Sequence, residues 1–119
     1  MNPSDIQNAG DALYDALVQR TTMAPLTTQY ADITIDDAYA IQQRMMARRL
    51  AAGERVVGKK IGVTSKAVMD MLCVFQPDFG WLTDAMVYNE GEAIDASTLI
   101  QPKAEGEIAF VLKKTLKGP

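Results

Sequence analysis

The chain has 119 residues, of which 48% are hydrophobic, with 15 acidic and 12 basic side chains, one cysteine and no histidine. This length suits one domain, and the apolar content is enough for a packed core. Without histidine the chain cannot build a Ser-His-Asp triad, a Cys-His pair or a histidine-ligated zinc site, and one cysteine cannot form an internal disulfide. Proton transfer therefore falls to carboxylates or lysines, and a bound metal would be a hard cation held by oxygen.

The charge balance and the distribution of apolar residues bear on partners and location. The net charge of −3 argues against a nucleic acid or an anionic membrane as partner. The chain has no apolar run of about 18 residues, and its first residues lack the basic-then-apolar pattern of a signal peptide. We therefore expect a cytoplasmic protein with no membrane partner and no nucleic-acid partner.

The first predicted element is an amphipathic helix over residues 4–20. Ser4 and Gln7 have the spacing of a capping box, and the apolar residues that follow are spaced as on one face of a helix. Residues 21–33 contain threonine pairs and a proline, which is typical of a connector.

A second helix is predicted to begin after Thr34 and to end near Gly53. Thr34 and Asp37 fit a helix cap, and glycine is typical of the position that follows a helix. The outer face of this helix is expected to carry Gln42, Gln43, Arg44, Arg48 and Arg49. The two helices together define an N-terminal helical region, residues 1–53.

Residues 54–119 differ in character and predict the start of a β-rich core. Valine and isoleucine are interrupted by glycine and lysine after residue 55, and turn residues separate the later apolar runs. The predicted elements are a strand over residues 55–63, a short helix from the cap Ser65 to Cys73, a loop over 76–80, a strand within 81–88 and a strand over 100–112.

Two glutamates in the last predicted strand are candidate metal ligands. Glu105 and Glu107 are two residues apart, so a strand would place both carboxylates on one face, about 6.6 Å apart. Ala109 and Val111 continue that face as apolar residues, which indicates that the face is covered. Covered carboxylates need a partner, such as Mg²⁺ or Mn²⁺. The alternative is an exposed edge strand whose polar face is acidic.

Lys60 is a candidate for contact with a substrate carboxylate or with acidic residues. Lys59 and Lys60 are neighbours in one predicted strand and point to opposite faces, so only one of them can lie in a given cleft. The glycines that flank this pair permit close approach of the backbone. The alternative is a solvated lysine pair on an edge strand.

Asp78 is a candidate for general acid or base chemistry. It follows a proline, which is also ordinary turn chemistry and is the alternative interpretation. An apolar wall around its carboxylate would raise its pKa towards the range useful in catalysis. The aromatic residues available for such a wall are Phe75, Phe79 and Trp81.

Other reactive or charged residues receive ordinary structural interpretations. Glu90, Glu92 and Asp95 lie in an acidic run and are interpreted as solvated turn residues. Cys73 is interpreted as a small buried apolar residue, because no histidine is present to activate its thiol.

Three segments of the chain, in this order and spacing, resemble the 2-oxopent-4-enoate hydratases. They are residues 60–66 (KIGVTSK), 76–80 (QPDFG) and 101–110 (QPKAEGEIAF). These enzymes, also called 2-hydroxypenta-2,4-dienoate hydratases, act in the meta-cleavage pathway for aromatic compounds. They belong with the 4-oxalocrotonate decarboxylases to the fumarylacetoacetate hydrolase superfamily. The resemblance extends over essentially the whole chain.

The resemblance implies a metal-dependent hydro-lyase. Glu105 and Glu107 match two of the family's three acidic ligands for Mg²⁺ or Mn²⁺, and Lys60 and Asp78 match its active-site lysine and aspartate. The metal would hold the carboxylate and 2-oxygen of the substrate, and water would add at C4 to give 4-hydroxy-2-oxopentanoate. The resemblance also implies a homo-oligomer, with 4-oxalocrotonate decarboxylase as a further partner.

Chains of this family run about twice as far, so the resemblance leads us to expect the N-terminal part of such an enzyme. The implied fold class is α+β, in which the helical region precedes the first strands of a fumarylacetoacetate-hydrolase-like mixed β-roll, truncated at residue 119. The third acidic ligand of the family lies beyond that residue. Cys73 stands where the resemblance leads us to expect a small glycine.

Two other functions stay open. A 4-oxalocrotonate decarboxylase of the same family would use the same metal ligands, so those residues do not distinguish it from a hydratase. A non-catalytic fragment that acts only as an assembly module is the second alternative, because two ligands and part of the roll are what the chain offers.

Overall fold

The computed structural model describes residues 1–118, in which helices precede a two-stranded sheet. The elements in chain order are α1 (Pro3–Gln19), α2 (Leu26–Gln29), α3 (Ile35–Ala51), β1 (Val56–Gly62), α4 (Lys66–Leu72) and β2 (Asp78–Thr83). Short 3₁₀ turns follow at Asp84–Met86 and Ala96–Thr98. Within this part of the chain, no helix has both the length and the apolar character needed to cross a membrane.

The first predicted helix is confirmed, but its cap is a different residue. The Asn2 side chain accepts a hydrogen bond from the Asp5 backbone N–H at 2.8 Å, and Pro3 begins the helix. Proline is favoured at the first helical position, because the N–H that it lacks would have no partner in the helix. Ser4 therefore lies inside α1, and the predicted box of Ser4 and Gln7 is wrong.

The predicted cap of α3 is confirmed. Thr34 Oγ1 accepts a hydrogen bond from the Asp37 backbone N–H at 3.2 Å, and the Asp37 carboxylate accepts one from the Thr34 backbone N–H at 3.0 Å. The Met1 ammonium group donates to the other Asp37 oxygen at 2.8 Å. The hydrogen bond from Met1 and those from Thr34 lower the pKa of Asp37 to about 2. Gly53 follows the helix with φ of 103°, which glycine adopts without strain.

Helices α1 and α3 pack against each other and enclose the small apolar core of the described chain. Ala9, Ile41 and Met46 are its buried apolar residues. Gly10 lies where the helices approach, because a Cβ atom there would stand 2.9 Å from the Ile41 carbonyl oxygen and would also press on Arg44. The hydrogen side chain of Gly10 therefore allows the close contact of the two helices.

The arginines of α3 do not form the outward polar face that the sequence predicted. Arg44 donates two hydrogen bonds to the Asp11 carboxylate of α1, each at 2.9 Å, and Arg48 donates one at 3.0 Å. These bonds lower the pKa of Asp11. Arg49 is buried and donates to Glu54 at 2.8 Å. The prediction is wrong because helical spacing shows only where these residues lie on their own helix. It does not show that acidic side chains of other parts of the chain pack against them.

Strands β1 and β2 form an antiparallel hairpin that is connected through α4. β1 lies within the predicted strand, and α4 is capped by Ser65 as predicted. β2 begins at Asp78, so the predicted loop over 76–80 and strand within 81–88 have the wrong boundary. Backbone pairing of Asp78 with Gly62 overrides the local turn preference of the Pro-Asp pair.

Cys73 ends α4 and is exposed, so the prediction of a buried apolar residue is wrong. Its φ of 53° is in the left-handed region. Glycine is favoured at this position after a helix because it has no Cβ to clash. The left-handed backbone at residue 73 is therefore one that suits the glycine expected there from the resemblance.

The last predicted strand is not formed within residues 1–118. Residues 102–112 contain no regular element, and the apolar side chains Ile108, Phe110 and Val111 are 84%, 83% and 100% exposed. A strand pairs its backbone N–H and C=O groups with a neighbouring strand. In the described chain only β1 and β2 pair, so this segment has an alternating pattern without the partner that a strand requires.

Candidate functional site

Lys60 and Asp78 lie on the same face of the β1–β2 hairpin. Lys60 is paired with Gly80 and Asp78 with Gly62, so the two charged side chains are diagonal neighbours across the strands. The Lys60 Nζ atom is 3.3 Å from Asp78 Oδ1. The fold therefore brings together two predicted site residues that are 18 positions apart in the sequence.

This ion pair is open to solvent. The side chains of Lys60 and Asp78 are 48% and 54% exposed. Such a pair contributes little to stability, because water screens the charges and ordering two flexible side chains costs entropy. A ligand can reach both the ammonium group and the carboxylate, an arrangement that suits binding of an anion and transfer of a proton.

The opposite face of the hairpin carries the neighbouring lysine. The Lys59 Nζ atom lies 5.3 Å from the centre of the Trp81 ring, so the two lysines point to opposite faces as predicted. Phe79 and Trp81 alternate with Asp78 along β2 and lie on the face opposite its side chain. Strand alternation therefore does not place these two rings beside the Asp78 carboxylate, although Phe79 and Asp78 line a common pocket.

Two side chains of α3 hold the backbone next to Asp78. The Tyr39 hydroxyl accepts a hydrogen bond from the Phe79 backbone N–H, and the Gln42 amide donates one to the Phe79 carbonyl, each at 3.2 Å. They satisfy backbone groups at the edge of β2 that faces away from β1. This contact was not predicted from the sequence, although the three-residue spacing of Tyr39 and Gln42 places them on one helix face.

A pocket of about 240 Å³ opens between α3 and residues 74–79. Asp78, Tyr39 and Gln42 contribute to its lining, together with apolar side chains that include Ile35 and Val74. Within residues 1–118, no lysine or arginine lines it. The pocket thus offers apolar surface beside Asp78 with few polar groups, as is common in sites for small molecules.

Glu105 and Glu107 lie apart from these features, in the exposed segment that follows residue 100. Among residues 1–118, no three or more acidic or cysteine side chains are grouped so that they could hold a metal. Carboxylate oxygens are the donors that Mg²⁺ and Mn²⁺ prefer, so the two glutamates fit such an ion chemically. Two carboxylates alone would supply only part of an octahedral ligand set.

Glu92 and Asp95 have local hydrogen-bond partners in turns. Glu92 accepts hydrogen bonds from the backbone N–H and the side chain of Asn89 at 2.6 and 2.8 Å, and Asp95 accepts one from the Ser97 backbone N–H at 2.9 Å. These hydrogen bonds lower the pKa of both carboxyl groups. The interpretation of these two acids as turn residues is confirmed.

Comparison with known proteins gives close relatives, although no protein-family model matches the chain. The chain is 66% identical over 120 residues to 2-hydroxypent-2,4-dienoate hydratase of Pseudomonas putida and 58% identical over 116 residues to 2-hydroxyhexa-2,4-dienoate hydratase of Comamonas testosteroni. The alignments cover 100% and 96% of this chain and 54% and 44% of the relatives. The chain thus spans about half the length of the curated relatives it matches.

The fold also matches solved structures. The 4-oxalocrotonate decarboxylase from Pseudomonas putida G7, complexed with magnesium and adipate, has a TM-score of 0.81 and 28% identity, covering 84% of this chain and 38% of that chain. A second structure of this decarboxylase, complexed with calcium and acetate, has the same TM-score. The predicted α+β fold class is confirmed. Sequence and fold together confirm the resemblance predicted from the three motifs: the chain matches the N-terminal part of the 2-hydroxypent-2,4-dienoate hydratases, in the family that includes 4-oxalocrotonate decarboxylase.

Proposed function

We propose that the chain forms the lysine–aspartate part of the active site in a metal-dependent hydratase. The substrate is 2-oxopent-4-enoate, derived from 2-hydroxypenta-2,4-dienoate in the meta-cleavage catabolism of aromatic compounds, and the product is 4-hydroxy-2-oxopentanoate. The observation that carries this proposal is the solvent-open Lys60–Asp78 pair, with 3.3 Å between its charged atoms, in a chain 66% identical to a named hydratase.

The two side chains suit the proton transfers of such a reaction. First, the 2-hydroxyl group of the dienol loses a proton and C5 gains one, which gives the conjugated 2-oxopent-3-enoate, a tautomer of 2-oxopent-4-enoate. Water then adds its hydroxyl group to C4 and a proton to C3. An ammonium group such as Lys60 can hold a carboxylate or enolate oxygen, and a carboxylate such as Asp78 can accept and return a proton at hydrogen-bond distance.

Two observations favour the hydratase over the decarboxylase. The two hydratases are 66% and 58% identical to the chain, whereas the decarboxylase is 28% identical. Among the described residues, the pocket beside Asp78 has no lysine or arginine in its lining, so this part of the chain lines the pocket with no basic side chain for a second substrate carboxylate. An uncharged alkenyl end fits this pocket better than a charged end does.

We further propose Glu105 and Glu107 as two ligands of a divalent cation, Mg²⁺ or Mn²⁺. The support is their oxygen donors and the magnesium and calcium in the decarboxylase structures. A bound cation supplies a Lewis acid for the carboxylate and 2-oxygen of the substrate. Both glutamate side chains are exposed, so a cation in solution can reach them.

The lysine–aspartate proposal is tested with 2-oxopentanoate, a saturated analogue that has no carbon–carbon double bond to which water can add. The 119-residue chain is titrated with this acid and Mg²⁺ while NMR follows the lysine side chains. We expect the Lys60 ε-methylene signals to shift and Lys60→Met to weaken binding about tenfold, through loss of a charge-assisted hydrogen bond. Lys59→Met is the matched control, because Lys59 lies on the opposite face. Equal weakening in both variants, or no shift at Lys60, would contradict the proposal.

The metal proposal is tested with Mn²⁺, whose unpaired electrons broaden nearby NMR signals. We expect selective broadening of residues 104–108 in the chain and loss of that selectivity in Glu105→Ala and Glu107→Ala. Glu90→Ala is the control, since Glu90 is an exposed acid in a turn. Broadening that is unchanged by either of the first two substitutions would rule out these ligands.

The assembly-module alternative is favoured if the chain binds neither 2-oxopentanoate nor Mn²⁺. A homo-oligomer, a 4-oxalocrotonate decarboxylase partner and a cytoplasmic location stay predictions. So does the division into a helical region, residues 1–53, and a catalytic core that begins at residue 54.

A further inference from the structure

The face of the hairpin that carries Lys60 and Asp78 is otherwise formed largely by glycine. Gly58 and Gly62 share this face of β1 with Lys60, and Gly80 shares it with Asp78 on β2. Glycine in a strand interior weakens the strand and often marks a site where another group approaches the backbone closely.

The Lys60 side chain occupies the space that side chains at Gly80 and Gly62 would fill. A Cβ atom on Gly80 would lie 3.0 Å from both Cγ and Cδ of Lys60, and one on Gly62 would lie 2.6 Å from Lys60 Nζ. The Gly62 Cβ would also overlap the Asp78 carboxylate. The stem of Lys60 therefore lies across Gly80, and the ion pair lies directly above Gly62.

Backbone conformation does not account for glycine at these positions. Gly62 and Gly80 are not among the residues with positive φ, so alanine can adopt the same extended backbone. The atoms that a Cβ would meet belong to the flexible side chains of Lys60 and Asp78. A methyl group would therefore displace the ion pair and leave the hairpin intact.

We propose that Gly62 and Gly80 are positioning residues for the Lys60–Asp78 pair. Because Gly80 and Gly62 have no Cβ atom, the Lys60 stem can lie over Gly80 and its Nζ atom can meet the Asp78 carboxylate above Gly62. The consequence for catalysis rests on the proposed function of Lys60 and Asp78, whereas the effect on their pairing does not.

Gly58 provides a matched control on the same strand and face. A Cβ atom there would meet the Leu82 side chain at 3.5 Å, which is an ordinary van der Waals contact. Gly58→Ala therefore makes the same chemical change in β1 without entering the space of the ion pair.

The test is a double-mutant comparison in the 119-residue chain, with the Lys60 ε-methylene NMR shift as readout. Asp78→Asn should shift this signal in the wild-type background and in Gly58→Ala, because the ion pair is present in both. The same substitution should produce no shift in Gly62→Ala and a reduced shift in Gly80→Ala. Circular dichroism checks that each variant is folded. If Gly62→Ala does not fold, Gly80→Ala takes its place in the comparison.

The outcomes separate this inference from the proposed function. An equal response to Asp78→Asn in the Gly58→Ala, Gly62→Ala and Gly80→Ala backgrounds would overturn the positioning role, and so would the absence of a response in the wild-type background. Neither result depends on a ligand. Failure of the wild-type chain to respond to 2-oxopentanoate would instead overturn the proposed function and leave the positioning role in place.

Discussion

The helix pair α1–α3 and the segment after residue 100 both carry regular apolar patterns, and they differ in whether those patterns find partners. Ile41 and Met46 in α3 are 1% and 6% exposed, whereas Phe110 and Val111 are 83% and 100% exposed. A helix satisfies its own backbone hydrogen bonds and needs a neighbour only for its side chains, whereas a strand needs a neighbour for both. An apolar pattern therefore stabilises an element only where the contacts it requires are available.

The largest expected difference between these regions is in amide hydrogen exchange. The amides of α3 around Ile41 should exchange only through opening of the helix pair, whereas those of residues 108–112 should exchange near the rate of an unfolded peptide. The described residues show no backbone hydrogen bonds within that segment. Protection of residues 108–112 in the isolated chain, measured by NMR, would show that they are paired in solution.

Truncating a buried apolar side chain of α3 should lower the free energy of unfolding by several kcal/mol more than truncating an exposed one after residue 100. Ile41→Ala removes a buried side chain between the helices and should lower the free energy of unfolding by about 2–5 kcal/mol. Phe110→Ala removes an exposed ring and should change that free energy by less than about 0.5 kcal/mol. Urea denaturation followed by circular dichroism measures both. Comparable decreases in the free energy of unfolding in the two variants would contradict the difference in burial between the two regions.

A smaller effect is expected at the cap of α3. Thr34→Ala removes the oxygen that accepts the Asp37 backbone N–H at 3.2 Å and should lower the free energy of unfolding by about 1 kcal/mol. Thr28→Ala, in the short and exposed α2, is the control and should have little effect. The same urea titration compares them, and equal losses would argue against a specific capping contribution.

The smallest expected effect is a change of stability with pH that depends on Asp37. Its pKa is lowered from 3.8 to about 2 in the folded chain, so the folded state binds the proton more weakly than the unfolded state. Its contribution to stability is therefore present above pH 3.8 and is lost as the pH falls through 2. Asp37→Asn should flatten this part of the profile, whereas Asp36→Asn keeps the hydrogen bonds of Asp37 to Met1 and Thr34 and should therefore keep the contribution of Asp37. Profiles that are alike in both variants would refute the role of Asp37.

Much of the helical region could be predicted because its determinants are local. The cap of Thr34 and Asp37 and the glycine after α3 involve residues within a few positions of each other. The arginines were misassigned because the partner of Arg44 and Arg48 is Asp11, which lies on another helix. Helical spacing alone does not reveal which polar stripe meets a complementary one.

The candidate site could be predicted in its residue types and only partly in its geometry. Family motifs singled out Lys60 and Asp78, and the hairpin register brings their charged atoms within 3.3 Å. Glu105 and Glu107 share a predicted strand that the described chain does not form. Their roles stay predictions, because carboxylates become a metal site only when other ligands are brought beside them.

By itself the sequence determined the helices α1, α3 and α4, the strand pattern of β1 and the residue types of the candidate site. Hydrogen bonds between near neighbours and the spacing of apolar residues are sufficient for these features. Only the tertiary structure decided that Lys60 crosses Gly80, that the ion pair lies above Gly62, and that Tyr39 and Gln42 hold the backbone at Phe79. Those contacts depend on strand register and helix packing, which join residues distant in the sequence.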